Sequence, residues 1–172
     1  MSEYDVFQPK LAKPCHLAER KEAKVAYEWY VDSVSERIEI LKDFVAKCDY
    51  PILEGRDLLP VLNDFFFGVC AEIKGQEKPG PLEFSLASDI NMYIGNLLMQ
   101  KFDNLHWAFH TFGKSDINYQ SPVIMGFSKV KNKKYSREFF GPIGGYAIRI
   151  VQGKPKEDDL FLKLYDSCVK FA

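Results

Sequence analysis

SLASDINMYIGNLLMQKFDNLHWAFHTFGKSDINYQSPVIMGF, residues 85–127, is the stretch whose reading decides the fold. Its first half carries apolar side chains at Leu86, Ile90, Tyr93, Ile94, Leu97 and Leu98, which is helical spacing. Ser85 and Ser88 are both candidate N-caps, since either hydroxyl can accept from a backbone N–H two or three residues on. Asp89 near the start and Lys101 in the last turn suit the helix dipole. Asp103 and Asn104 are turn formers that end the helix. Gly95 in mid-helix costs about 1 kcal/mol against Ala. It marks close approach of a ligand or partner, or close packing against another element, and packing is the preferred reading.

At His106 the period changes to two. Trp107, Phe109 and Thr111 share one face of a predicted strand, and His106, Ala108, His110 and Phe112 share the other. Gly113 to Asp116 has turn composition, and residues 122–127 read as a second strand with Pro122 at its start. The pair predicts an antiparallel hairpin with a long loop.

Outward from this centre, residues 1–16 read as irregular, because Pro9 and Pro14 break regular structure. Residues 17–47 read as helical, with Ala23, Tyr27, Tyr30, Val34, Ile38, Leu41 and Val45 on one stripe. Ser33-x-x-Glu36 resembles a capping box, so one kinked helix and two collinear ones are equally acceptable. A further helix covers about 57–74, with Asp57 as its cap, Pro60 in its first turn and Gly75 at its end. Its stripe is Leu58, Leu62, Phe65, Phe66, Val69 and Ile73. Phe67 stands off that stripe, beside Asn63, Asp64, Cys70, Ala71 and Lys74. Residues 76–81 read as a loop. Residues 142–152 read as a helix between Pro142 and Gly153, with a strand as runner-up because Tyr146, Ile148 and Ile150 alternate. Asp158 or Asp159 caps a last helix with Leu160, Leu164, Cys168 and Phe171 on one side.

The 172 residues read as a single domain, 1–172, long enough for a sizeable core. The fold class that follows is α+β, mainly helical, with about five helices and a small antiparallel β-hairpin or sheet. A net charge of −1 gives no global field for nucleic acid or an acidic membrane. No apolar run reaches the roughly 18 residues of a membrane span, and the N-terminus lacks a signal-peptide pattern. Cytoplasmic localisation is the expectation. Cys15, Cys48, Cys70 and Cys168 are scattered and read as free thiols.

Several groups carry residue types that can do chemistry. His106 and His110 on a strand would stand about 13 Å apart at about 3.3 Å per residue, too far to share one metal. Glu28, Asp32 and Glu36 lie on one helix face. They could do acid–base work in a cleft, but read better as a solvated acidic face that could meet a basic partner. Lys129, Lys131, Lys133, Lys134 and Arg137 with Tyr135 form the basic loop 129–137. That composition can bind nucleic acid weakly, and otherwise reads as solvated. The glycines at 141, 144 and 145 lack the spacing and the Lys-Ser/Thr of a phosphate loop. Cys15 and His16 are neighbours in a loop only. Phe67 is an internal packing residue or an interface anchor, with a slight lean to packing.

Three pieces of the chain carry a resemblance: Ser35 to Leu41 (SERIEIL), Asp89 to Gly95 (DINMYIG), and Trp107 to Phe109 followed by Ser121 to Phe127 (SPVIMGF). Together they resemble a group of small uncharacterised bacterial cytoplasmic proteins of immunity-protein type, over roughly residues 25–170. Gly144 and Gly145 depart from that pattern. The resemblance implies a non-enzymatic cytoplasmic protein-binding domain, most concretely an immunity protein that neutralises a polymorphic toxin. It brings no catalytic residue, metal or cofactor. The partner-binding candidates are Glu28, Asp32, Glu36, Phe67, Lys131, Lys133, Lys134 and Tyr135. The alternative is an enzyme, or a weak nucleic-acid binder using residues 129–137.

Overall fold

The computed structural model describes residues 3–172. In chain order the helices are α1 (Arg20–Lys47), α2 (Leu58–Glu72), α3 (Pro81–Lys101), α4 (Phe140–Val151) and α5 (Leu160–Val169). Strands β1 (His106–Phe109) and β2 (Pro122–Met125) lie between α3 and α4 and pair antiparallel. This is the mainly helical α+β class the sequence predicts. Met1 and Ser2, the start of the segment expected to be irregular, lie outside the described residues. No helix among the described residues is long and apolar enough to cross a membrane.

Helix α3 is the centre. It packs against all four other helices and is buried without interruption from Ser85 to Gly95. It starts one turn before the predicted Ser85. Gly80 is the N-cap, Pro81 takes the first helical position, and Glu83 Oε2 accepts the Gly80 N–H at 2.7 Å. A glycine cap carries no side-chain signal, so the serines drew the prediction. Both serines lie inside the helix, and Ser85 Oγ accepts the Phe7 N–H at 2.6 Å.

A helix enclosed on every side must also enclose its polar residues. Asp89 is fully buried and lies more than two turns into the helix, which corrects its placement near the helix start, where the dipole would favour it. Arg37 of α1 grips it with two bonds, Nε to Oδ1 at 3.0 Å and Nη2 to Oδ2 at 2.7 Å. Such a bidentate guanidinium–carboxylate pair is among the strongest hydrogen-bonded arrangements. The Tyr4 hydroxyl also donates to Oδ2, and Arg37 Nη2 donates to the Asp5 carbonyl at 2.7 Å. Burial pushes the Asp89 carboxyl above its ordinary range, and the bonds from Arg37 and Tyr4 pull it back. The N-terminal segment is therefore an extended strap, with Tyr4 and Phe7 buried.

Helix α1 runs unbroken for 28 residues. Ser33 caps nothing, because its hydroxyl donates back to the Tyr30 carbonyl at 2.9 Å. Asp57 likewise makes no side-chain cap for α2. Helix α2 is buried on two sides, since Leu59, Asn63 and Cys70 are as buried as Leu58, Leu62, Phe65 and Phe66. The small-to-polar face predicted around Asn63 and Cys70 is thus a second packing face. Helix α4 rejects the strand alternative. Ile143, Ala147, Ile150 and Val151 are buried at helical spacing while Ile148 is exposed. Its end is a Schellman motif: Gly153, at φ +83°, donates to the Ile150 carbonyl, and the Lys154 N–H reaches Arg149. On α5 the buried residues are Phe161, Tyr165 and Cys168, so the predicted stripe was rotated: Leu160 and Leu164 are half-buried and Phe171 is exposed.

Strand β1 is shorter than its alternation suggested. Trp107 pairs with Ile124 across the ladder and meets Tyr30 edge-on, with ring centroids 5.5 Å apart. Its indole lies directly over Gly95, where an added Cβ would stand 2.5 Å from Cζ2. The packing reading of Gly95 is the correct one: the missing side chain is the space the indole occupies.

Two stability outcomes follow. Helix propensity alone would favour Gly95→Ala by about 1 kcal/mol, but overpacking costs about 1–3 kcal/mol. A lowered urea midpoint for Gly95→Ala is expected, and a raised one would refute the close contact. Arg37→Met leaves a buried carboxylate without its charge partner, and loss of roughly 3–5 kcal/mol is expected from chemical denaturation.

Candidate functional site

Two prolines keep the strap out of regular structure, so it crosses the outside of α1 as extended chain before the helical turn Cys15–Leu17. Phe7 stacks on Trp29 with ring centroids 4.7 Å apart. The hairpin loop holds the far end of the strap. Buried Gln120 donates through Nε2 to the carbonyls of Cys15, at 2.9 Å, and Ala18, at 2.8 Å. Asn91 of α3 supplies the third connection. Its Nδ2 donates to the Tyr30 hydroxyl at 2.6 Å, and its Oδ1 accepts the Phe139 N–H at 2.8 Å, fixing the start of α4.

Between strap, α1, hairpin loop and the start of α4 lies a cavity of about 650 Å³. Its walls are aromatic: Phe7, Tyr27, Trp29, Tyr30 and Phe140. Ile117 and Phe140 line it yet remain exposed, so they stand at its mouth. Ser88, Asn91, Gln120 and Glu138 are the polar groups that converge on it, with Lys10 and Lys13 on the strap. Cys15 and His16, read as mere loop neighbours, lie on the helical turn and also line the cavity.

Glu138 precedes α4 and its Oε2 accepts the Gly141 N–H at 2.8 Å. Burial raises its pKa above the ordinary value, while the N–H groups of Gly141 and Phe140 and the charge of Arg137 lower it. Among the described residues no Lys, Arg or His forms an ion pair with it.

None of the sequence-predicted site residues lines this cavity. Glu28, Asp32 and Glu36 are exposed along one face of α1. Lys131, Lys133 and Lys134 are exposed, but Tyr135 is separated from them. Its ring packs between Phe127 and Phe171, at centroid distances of 5.2 and 5.9 Å, and so is not free to stack on a base. His106 lies exposed in β1 and His110 is buried just beyond it, so the two never adopt the helical spacing that lets a pair share a metal. Among the described residues no group of three His, Cys, Asp or Glu side chains could hold a metal ion. His110 Nε2 lies 3.4 Å from Asp116 Oδ2.

The cavity residues were missed because they come from five separate segments. One signal was present. Tyr27, Trp29 and Tyr30 put three aromatics within one turn of α1, and Trp29 lies off the buried stripe.

Phe67 is half-buried and packs against the edge of the core. Phe67→Ala is expected to lower stability by roughly 1–3 kcal/mol, below the 3–5 kcal/mol of a core Phe and above a neutral surface change. A thermal melt checks it, and an unchanged midpoint would make Phe67 a surface anchor. Compared with protein-family models, with curated proteins and with solved structures, the chain finds no match.

Proposed function

We propose that this chain is a non-catalytic binding protein and that its recognition site is the aromatic cavity beneath the N-terminal strap. The occupant is an apolar small molecule. The observation that carries this reading is the combination of about 650 Å³ of space with five aromatic wall residues. Small-molecule sites are concave, mostly apolar and about 300–1,000 Å³ in volume, with few polar groups to fix orientation. The polar groups are also in structural use: Asn91 ties Tyr30 to Phe139, Gln120 ties the loop to the strap, and Glu138 caps α4. That employment supports binding over catalysis.

A protein partner is the second reading, supported by exposed Ile117 and Phe140 at the mouth and by the acidic face of Glu28, Asp32 and Glu36. An immunity-type inhibitor of a toxin is its concrete form, with cytoplasmic residence as part of that proposal. Exposed Lys131, Lys133 and Lys134 would support only a weak, salt-sensitive nucleic-acid contact, and the inward-turned Tyr135 argues against it.

The test uses the neutral fluorophore N-phenyl-1-naphthylamine. Saturable fluorescence enhancement is expected with the native chain. Ala26 lines the cavity from α1, so Ala26→Trp should weaken the probe at least tenfold without lowering the thermal midpoint. No binding, or equal binding by this variant, would overturn the reading.

A further inference from the structure

We propose that the cavity is selective for amines, with Glu138 receiving the ammonium group of an otherwise apolar ligand. This rests on the cavity reading above and names the chemistry of its ligand.

Glu138 lines the cavity, and its carboxylate has no cationic side chain paired with it among the described residues. An ionised carboxylate offers about four acceptor sites; the Gly141 N–H takes one on Oε2 at 2.8 Å and the Phe140 N–H also acts on it, which leaves acceptor capacity for a ligand. Glycine at 141 lets the carboxylate lie close over the backbone, since a Cβ there would meet Oε1 at 2.8 Å. The start of α4 contributes at most about half a positive charge, so the carboxylate remains the dominant charge on that wall. Arg137 lends Glu138 some positive charge but makes no ion pair with it: its Nη2 bonds Ser167 Oγ at 3.1 Å, on α5.

The aromatic walls favour the same sign. A cation over a Tyr or Trp face is attracted by the ring quadrupole, more so when desolvated. The protein supplies its own example, because the Lys10 ammonium sits over the Trp29 ring, 5.0 Å from its centroid. Lys10 and Lys13 are themselves exposed, so their charges face solvent and are screened. An anionic ligand would have to bring its charge toward Glu138 and find its counter-charge only at these solvated lysines.

Three probes with one apolar body separate the possibilities: 2-(2-naphthyl)ethylamine, 2-(2-naphthyl)ethanol and 2-naphthylacetic acid, titrated by calorimetry at neutral pH. The amine is expected to bind at least tenfold more tightly than the alcohol, and the acid most weakly. Glu138→Gln keeps an amide oxygen to accept the Gly141 N–H, so the cap survives. This variant should lose the tenfold preference for the amine over the alcohol. An unchanged thermal midpoint shows that the variant is folded. Equal binding of amine and alcohol, tightest binding of the acid, or an amine preference that survives in Glu138→Gln would each overturn the proposal and leave the cavity reading standing. If none of the three binds, the cavity reading itself fails. Should Glu138→Gln unfold, Glu138→Asp gives the same test, since a shortened carboxylate should weaken the amine alone.

Discussion

A carboxylate in the middle of the most enclosed helix is the constraint on which this structure depends. Leaving Asp89 unpaired in the interior would be strongly unfavourable, because burial penalises the charged form. Its solution draws three parts of the chain together. Arg37 brings α1 against α3, Tyr4 brings the strap, and the Asp5 carbonyl takes the remaining reach of the guanidinium. The Ser85 hydroxyl then satisfies the Phe7 backbone. Hydrophobic burial would press these elements together in many arrangements, and the directional bonds to Asp89 select one.

The strap fixed in this way becomes a wall. Phe7 leaves the Asp89 network on one side and stacks on Trp29 on the other. The same α1 aromatics therefore serve two environments: Tyr30 meets Trp107 in the core and also lines the cavity. Burial and the Asn91 bond fix the Tyr30 ring, and burial pushes its hydroxyl pKa well above the ordinary value, so it stays neutral. Wall side chains that the core already fixes, Phe7 and Tyr30, need little reorganisation to receive a ligand, which lowers the entropic penalty of binding.

The basic loop shows why composition misleads about sites. Lysines at 131, 133 and 134 remain in water, where charges are best solvated, while Tyr135 joins Phe127 and Phe171. Sequence adjacency grouped residues that solvation and packing then separated. The acidic face of α1 behaved differently, because Glu28, Asp32 and Glu36 share an exposed helical face by periodicity alone.

The sequence by itself determined the local elements. Helical and alternating periods, Pro142 with Gly153, and the turn residues around the hairpin are short-range signals. They located the helices and the strand pair, with errors at ends where the signal was absent, as at Gly80, or ambiguous, as at Ser85. Only the tertiary structure decided the meaning of Asp89, Gly95 and Glu138. Asp89 reads locally as a dipole-suited acid and Gly95 as a weak point in a helix, while Glu138 carries no local signal at all. Their roles arise from partners 52 residues away for Asp89, from the Trp107 indole for Gly95, and from a cavity assembled from several segments for Glu138. Periodicity reports which way a side chain points along its own element. What it meets there depends on how the elements pack, and that information is spread over the whole chain.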